Sequence, residues 1–145
     1  MKVADILKGK AVAGVMTVKP SETIAGFAKR LKLAGVGAMV VSDEGHAIEG
    51  IISERDIAYA VPVHGAAVPE MRVSELMTKT VVTCSPTDNC GEVAKNMITR
   101  RIRHLPVKEG TRLIGLISIG DVLKARLSEM EIEANVLRDI AIAGR

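Results

Sequence analysis

The second half of this 145-residue chain repeats the first half. Segment 17–41, TVKPSETIAGFAKRLKLAGVGAMVV, aligns without a gap to segment 83–107, TCSPTDNCGEVAKNMITRRIRHLPV. One residue is then lost in a turn, and GIISERD (50–56) aligns with GLISIGD (115–121). A repeat spacing of about 65 residues indicates two structural units of the same kind in one short chain. The fold must therefore combine two pseudo-symmetric copies.

Each copy has the same predicted order of elements. A short apolar strand precedes a proline and a few small polar residues, and a helix follows. In the first copy the apolar residues of this helix recur at helical spacing, as Ile24, Phe27 and Leu31 show. Two apolar runs, 38–41 and 48–52, then predict a hairpin, and a second helix closes the unit. We expect an α/β (α+β) fold of two β-α-β-β-α units that share one pseudo-symmetric core.

The repeat also predicts the domain boundaries. We expect a first unit at 1–61, a linker at 62–71, a second unit at 72–127 and a C-terminal helical extension at 128–145. The linker contains PVHGAAVPE, with a glycine and two prolines.

The C-terminal extension continues an unusually long helical pattern. Apolar residues follow heptad spacing at Leu123, Leu127, Met130, Ala134, Leu137 and Ala141. A second apolar stripe contains Ile132, Val136 and Ile140. A helix that is apolar on two sides needs a partner, so the sequence predicts a homodimer. The alternative is a helix that folds over its own unit.

Composition excludes several classes of protein. The chain is 48% hydrophobic with one Phe, one Tyr and no Trp, so its core must be aliphatic. A net charge of +3 is too mild for a typical nucleic-acid binder. The sequence shows neither a signal-peptide pattern nor an apolar run long enough to span a membrane, which favours a cytoplasmic location. Cys84 and Cys90 lack the partners of a zinc site, so packing is favoured over a redox role, which stays open.

The motif Gly-x-x-Ser-x-x-Asp occurs once in each copy, with Ser53 and Asp56 in the first and Ser118 and Asp121 in the second. One interpretation is a capping box at the start of a helix. The motif also follows an apolar strand, where free helix N–H groups suit an anion. A serine hydroxyl can donate to phosphate, and an ionised aspartate accepts from sugar hydroxyls. The residues therefore suit a nucleotide, and the two interpretations are compatible.

The ordered set of segments VSELMTKTVVTCSP, RIRHLPV and LIGLISIGDVL resembles a CBS domain. Because the set is repeated, the chain resembles a stand-alone tandem CBS-domain pair, or Bateman module. The resemblance implies a regulatory protein that binds AMP, ADP, ATP, NAD or S-adenosylmethionine between its two units and signals to an effector protein. It implies that the Ser and Asp of the motif contact phosphate and ribose, that no cofactor is required, and that disc-like homodimers form.

Further site residues follow from the alignment and the resemblance. Arg103 and His104 open a strand, and we expect them beside Ser118 and Asp121, where they meet phosphate. The aligned residues Gly37 and Ala38 carry no charge, so the site of Ser53 and Asp56 is predicted to be the less basic one. Arg100 and Arg101 are interpreted as a solvated helix end.

The resemblance places adenine near the first strand of each copy. The complete set of candidate ligand-binding residues is Gly14, Val15, Gly37, Ala38, Ser53, Asp56, Thr80, Val81, Arg103, His104, Ser118 and Asp121.

The sequence contains no recognisable nucleophile motif, metal-ligand cluster, dinucleotide fingerprint or phosphate-binding loop, so no enzyme activity and no metal are expected. A constitutive dimeric scaffold with vestigial pockets is the main alternative. Nucleic-acid binding through residues 100–104 is the weaker one, because this segment lacks aromatic residues for base stacking.

Overall fold

The computed structural model describes residues 1–10 and 15–144. The elements of the first half are α1 (Val3–Gly9), β1 (Thr17–Val18), α2 (Ile24–Ala34), β2 (Ala38–Val41), β3 (Gly50–Ser53) and α3 (Glu54–His64). A 3-10 helix (Gly65–Glu70) leads into the second half. Its elements are α4 (Val73–Leu76), α5 (Cys90–Arg100), β4 (His104–Glu109), β5 (Arg112–Ser118) and α6 (Ile119–Ala143). The predicted mixed fold of two units with a long C-terminal helix is confirmed.

The two sheets are built from equivalent hairpins. β2 pairs antiparallel with β3 and parallel with β1, which makes a three-stranded sheet. β4 pairs antiparallel with β5. The strand predicted before α5 is reduced to a single parallel bridge between Cys84 and Val107. Ala38 lies opposite Ser53 and His104 lies opposite Ser118, so both hairpins have the same register at the motif serine.

Local interactions define the ends of α2 and α5. The Thr23 side chain accepts a hydrogen bond from the Gly26 N–H at 3.2 Å, and the Asn89 side chain accepts from the Gly91 N–H at 2.8 Å. Both caps satisfy N–H groups that have no partner within the helix. Gly35 ends α2 in the left-handed conformation, with φ 66°. Glycine suits this conformation because it has no Cβ to clash with the backbone.

The buried apolar residues form two clusters, so the expected single core is wrong. One cluster contains Phe27, Met39, Ile52, Val68 and Val73 among its members. The other contains Val3, Ile6, Cys90, Met97 and Ile117. Helix α1, at the start of the first half, therefore packs in the core of the second half. Helix α4, at the start of the second half, packs in the core of the first.

Backbone hydrogen bonds hold these exchanged segments in place. The Val3 N–H donates to the Asp88 carbonyl at 3.0 Å, beside the start of α5. In the reverse direction, the Ile51 N–H in β3 donates to the Thr78 carbonyl at 3.0 Å. The two units are thus joined by reciprocal exchange as well as by side-chain packing.

The glycine of each Gly-x-x-Ser-x-x-Asp motif lies where an exchanged segment approaches most closely. A Cβ on Gly115 would lie 2.5 Å from Leu7 Cδ2 of α1. A Cβ on Gly50 would lie 2.8 Å from Met77 Sδ and 2.9 Å from the Thr78 carbonyl oxygen. Both distances are shorter than van der Waals contact allows, so the motif glycines make room for the exchange.

The segment predicted as a linker is ordered. Helix α3 continues to His64, and the 3-10 helix follows directly. Val68 is 3% exposed and belongs to the first core. Gly65 caps the end of α3, while Pro62 lies inside α3 and Pro69 inside the 3-10 helix.

The second half of the C-terminal helix leaves its large apolar residues exposed, whereas Val122 and Ala125 near its start are buried. Leu127 and Leu137 of α6 are each 61% exposed, and Ile140 is 63% exposed. The alternative in which this helix folds over its own unit therefore does not describe its second half. No helix in the described ranges, 1–10 and 15–144, is both long and apolar enough to cross a membrane.

Both cysteines are buried free thiols. Burial raises the pKa of Cys84 to about 12, and it also raises the pKa of Cys90. Both thiols are protonated at neutral pH as a result, which suits a packing role.

Candidate functional site

Two cavities lie between the copies, and each contains one motif serine and aspartate. The larger, which we call the Ser118 pocket, has a volume of about 650 Å³ and is lined by Ser118, Asp121 and His104 of the second half. The first half contributes Val15, Gly35, Gly37 and Ala38 to this pocket, and α1 and its end contribute Leu7, Lys8 and Lys10.

The second cavity, which we call the Ser53 pocket, has a volume of about 420 Å³. The first half contributes Ser53, Glu54, Arg55, Asp56 and Tyr59. The second half contributes Arg101, Arg103 and His104. His104 is thus shared by both pockets.

Each pocket combines the serine and aspartate of one copy with the strand-opening residues of the other copy. Ser118 and Asp121 face Gly37 and Ala38, whereas Ser53 and Asp56 face the aligned Arg103 and His104. The sequence-based grouping is therefore wrong for Arg103, which does not line the Ser118 pocket. The Ser53 pocket, predicted to be the less basic one, contains three arginines.

The physical reason is the face-to-face association of the copies. The backbone register places the start of β4 beside Ser118, since His104 pairs with that residue. Arg103, the residue just before β4, lines the cavity that holds the other copy's motif, whereas His104 lines both cavities. Sequence proximity to a strand end did not reveal which cavity its side chain enters.

Most of the remaining candidate residues line a pocket. Val15, Gly37, Ala38 and His104 line the Ser118 pocket. Thr80 and Val81 line neither cavity, because the chain meets the Ser53 pocket two residues earlier, at Thr78. Two hydrogen bonds between the backbones of Thr78 and Ile51 hold it there. Gly14 lies outside the described residues.

The second copy's motif forms a reciprocal cap at the start of α6. The Asp121 N–H donates to Ser118 Oγ at 3.0 Å, and the Ser118 N–H donates to Asp121 Oδ2 at 2.9 Å. In the first copy the Ser53 N–H and hydroxyl both donate to Asp56 Oδ2, at 2.8 and 3.2 Å. Both serines and both aspartates are also partly exposed to a cavity, so capping leaves part of each side chain free to contact a ligand.

Lys10 is a site residue that the sequence did not reveal. Its ammonium donates to the Leu116 carbonyl at 2.8 Å and lies 3.0 Å from Asp121 Oδ2. Burial raises the pKa of Asp121, but the Ser118 N–H and the Lys10 ammonium outweigh burial and hold this pKa below its ordinary value. The carboxylate is therefore ionised at neutral pH and is bound to a cation on the neighbouring α1 segment.

His104 and Gly37 lie at the boundary between the two pockets. A Cβ on Gly37 would lie 3.3 Å from Glu54 Oε1 and 3.4 Å from His104 Nε2, so glycine lets both side chains approach β2. Burial lowers the pKa of His104 most, and Lys10 and Arg103 lower it further, while Glu54 and Asp121 oppose them. A neutral imidazole that both pockets share can respond to an anion in either one.

Arg101 ends α5 in an unusual conformation. Its φ of 56° is the only positive φ at a non-glycine position in residues 1–10 and 15–144. The aligned residue of the first copy is Gly35, with φ 66°. A side chain in this left-handed region costs about 1–2 kcal/mol. The sequence-based interpretation of Arg101 as a solvated helix end is incomplete, because the residue also lines the Ser53 pocket, whereas Arg100 is exposed and lines neither pocket.

Within the described part of the chain, no three His, Cys, Asp or Glu side chains are grouped closely enough to hold a metal ion. The pockets instead present hydroxyl, carboxylate, guanidinium and ammonium groups beside aliphatic side chains.

The chain contains two α/β repeats, which exchange their leading helices and enclose two pockets between them. This arrangement defines a tandem repeat module. The family model of the CBS domain matches residues 3–63 and 73–128. This chain belongs to the CBS domain family, with two copies of the domain.

Known proteins are similar to this chain in sequence, and one of them also in structure. The CBS-domain containing protein ATU1752 from Agrobacterium tumefaciens is 42% identical in sequence to this chain. Its crystal structure matches this one with a TM-score of 0.82, and the match covers 87% of this chain and 99% of that one. The CBS domain-containing protein YhcV of Bacillus subtilis is 30% identical over 122 residues, which are 84% of this chain and 86% of YhcV. The mitochondrial protein CBSX3 of Arabidopsis thaliana is 32% identical over 134 residues; the match spans 88% of this chain and 65% of CBSX3.

One solved neighbour contains ligands. The CBS domain pair of protein MJ0100 is described in complex with 5′-methylthioadenosine and S-adenosyl-L-methionine. It is 25% identical to this chain, with a TM-score of 0.75 over 86% of this chain and 98% of that one. Adenosine-containing ligands are thus bound by a neighbour of the same fold.

Proposed function

We propose that this chain is a regulatory module that binds an adenosine-containing ligand between its CBS copies and transmits this binding to a partner protein. The observation that carries the proposal is the position of Ser118 and Asp121, at the N-terminus of α6 and in the wall of a cavity built from both copies. The proposed role is binding without catalysis and without a required cofactor.

The groups of the Ser118 pocket match the parts of such a ligand. The ionised Asp121 accepts from two ribose hydroxyls, and the Ser118 hydroxyl and the first N–H groups of α6 face a phosphate or another polar substituent. Leu7, Val15 and Ile114 offer an aliphatic surface to adenine. The ligands of MJ0100 share this adenosine moiety with AMP, ATP and NAD, which supports the choice of ligand class.

A ligand-dependent change in thermal stability tests the proposal. A ligand at 100 times its Kd stabilises the folded state by about 2.7 kcal/mol. AMP, ADP, ATP, NAD, S-adenosylmethionine and 5′-methylthioadenosine are added separately to the full chain. We expect at least one to raise the unfolding midpoint, and Asp121→Asn or Asp56→Asn to reduce the rise. Asp43→Asn is the matched control, because Asp43 lies in an exposed hairpin turn away from both pockets.

Transmission is proposed to run through α1 and α6. Asp121 belongs to α6, and its salt bridge with Lys10 joins α6 to the end of α1. A ribose on Asp121 replaces this salt bridge and changes how the two helices are held. A ligand acts on a partner in this way only if it favours one arrangement of the helices over another.

The second candidate function is a constitutive dimeric scaffold, and the exposed apolar residues of α6 favour it. Leu127, Met130 and Leu137 are between 58% and 61% exposed in a single chain. A second copy that covers this heptad stripe is the proposed partner in either case. If millimolar concentrations of every adenosine compound leave the midpoint unchanged while a dimer is present, the scaffold is the better description.

A further inference from the structure

Three aligned positions have an arginine in one copy and a glycine in the other. The arginines Arg55, Arg101 and Arg103 line the Ser53 pocket. The corresponding residues of the other copy are Gly120, Gly35 and Gly37. Both pockets have a serine and an aspartate and share His104, but the cations of the Ser118 pocket are the ammonium groups of Lys8 and Lys10, whereas those of the Ser53 pocket are three guanidinium groups.

The three guanidinium groups of the Ser53 pocket have no carboxylate partner in residues 1–10 and 15–144. The ion pairs of this part of the chain involve other cations, such as Arg30 with Glu22 and Lys10 with Asp121. Two carboxylates line the same pocket, but Asp56 accepts from the Ser53 N–H and hydroxyl. The second carboxylate, of Glu54, lies near Gly37 and His104. Unpaired like charges around one cavity repel each other until an anion is bound between them.

The backbone at Arg101 provides an independent observation. The residue occupies a left-handed position, φ 56°, for which the other copy uses glycine. In both copies the N–H of this residue donates to the carbonyls three and four residues earlier in the helix. Glycine makes these hydrogen bonds in the first copy, so the helix end does not require an arginine. An arginine held in a strained conformation at the wall of a cavity indicates a role for the side chain.

We propose that the Ser53 pocket selects ligands that carry a chain of two or more phosphates, and that Arg101 contacts this chain. A guanidinium binds a phosphate through two parallel N–H donors, and three such groups exceed what a single phosphate accommodates. Tyr59, the only tyrosine of the sequence, lines the same pocket and offers an aromatic face to a base. For a nucleotide ligand this inference rests on the proposed function. The shared chemistry is the phosphate chain, which inorganic pyrophosphate also has.

Isothermal titration of the full chain in metal-free buffer tests the inference. ATP, ADP, AMP and inorganic pyrophosphate are titrated into the wild type, Arg101→Asn and Arg100→Gln. Asparagine tolerates the left-handed conformation, so Arg101→Asn removes the guanidinium and keeps the helix end. Arg100 is the matched control because it is the adjacent arginine of the same helix end and lines neither pocket.

We expect Arg101→Asn to weaken ATP and ADP binding by about tenfold or more, the effect of losing one charge-assisted contact. AMP binding changes by less than about threefold on this scale, and Arg100→Gln leaves all affinities unchanged. A further variant, Arg101→Gly, has the same binding loss but raises the unfolding midpoint of the ligand-free protein by about 2 °C, because the strain at φ 56° is relieved. If Arg101→Gly stabilises the fold and still weakens ATP binding, the loss of affinity cannot result from damage to the structure.

The inference is overturned if Arg101→Asn binds ATP as tightly as Arg100→Gln does, or if AMP loses as much affinity as ATP. Its failure differs from that of the proposed function. Wild-type binding of AMP and ATP that is insensitive to Arg101 overturns the inference alone. Binding of pyrophosphate that depends on Arg101, with no binding of any adenosine compound, supports the inference and removes the proposed function. If neither pyrophosphate nor any nucleotide binds, both are wrong.

Discussion

The Lys10 ammonium lies 3.0 Å from the Asp121 carboxylate and joins the end of α1 to the first turn of α6. The two residues are separated by 111 positions in the chain. Asp121 is the group to which we assign the ribose, so Lys10 occupies the same carboxylate that the ligand needs. The salt bridge therefore couples ligand binding to the position of an exchanged helix.

Replacing Lys10 by methionine is expected to free this carboxylate. The side chains of Lys10 and Asp121 are 38% and 30% exposed, so solvent screens the pair and its loss lowers the free energy of unfolding by at most about 1 kcal/mol. In this variant no ammonium competes with adenosine for the Asp121 carboxylate. We expect the affinity of the protein for adenosine to rise by about two- to fivefold, which corresponds to the energy of the lost ion pair. Calorimetric titration with adenosine measures the change.

Lys8→Met is the control for this variant, because Lys8 lines the same pocket and forms no ion pair in the described part of the chain. Equal adenosine affinities for Lys8→Met and Lys10→Met would show that Lys10 does not compete with the ribose.

His104 is expected to make the stability of the protein depend on pH near neutrality. Burial lowers its pKa below the ordinary value of 6.5, although Glu54 and Asp121 oppose this effect. When the pH falls through 6.5, the unfolded chain takes up a proton before the folded protein does. The stabilising contribution is therefore complete above that pH and is lost as the pH falls toward the lower pKa of the folded state.

The unfolding midpoint of the wild type, measured between pH 5 and 8, should rise with pH, and His104→Gln should flatten the rise. His64→Gln is the control, since His64 is exposed at the end of α3 and lines neither pocket. An identical pH profile for His104→Gln and the wild type would contradict the prediction.

The motif glycines should differ in their tolerance of a methyl group. In Gly50→Ala the new Cβ meets the Thr78 carbonyl oxygen at 2.9 Å, and backbone must move. We expect a loss of about 1–3 kcal/mol in the free energy of unfolding, the usual cost of overpacking. In Gly115→Ala the new Cβ meets the end of the Leu7 side chain, which can rotate away, so the loss should be smaller. Urea denaturation of both variants gives the comparison, and an equal or larger loss for Gly115→Ala would be inconsistent with this account.

The uncovered stripe of α6 should determine the oligomeric state. Leu127 and Leu137 are each 61% exposed in the single chain and lie on the heptad seam. Multi-angle light scattering should give a dimer for the wild type and a monomer for Leu127→Glu combined with Leu137→Glu. Asp139→Asn, a change on the side of the same helix opposite the seam, should stay dimeric. A monomeric wild type at about 100 µM, far above the Kd of a stable dimer, would exclude the proposed partner.

The sequence determined the features that depend on neighbours along the chain. The helical spacing of Ile24, Phe27 and Leu31 predicted α2, and all three side chains are buried. The reciprocal cap of Ser118 and Asp121 needs only residues three positions apart, and it forms as expected. These patterns are readable because the interactions that produce them are local.

Tertiary structure decided which residues of the two copies meet. A pseudo-symmetric repeat allows the motif of one copy to face its own strand or that of the other, and the local sequence is the same in both cases. The association of the two units placed Arg103 with Ser53 and Lys10 with Asp121. Helices α1 and α4 were exchanged for the same reason, since each buries its apolar face in the core of the opposite copy. The residues that line each pocket therefore depend on how the two copies pack. The local sequence permits several ways for the copies to associate, and the burial of apolar residues distant in the chain selects one of them.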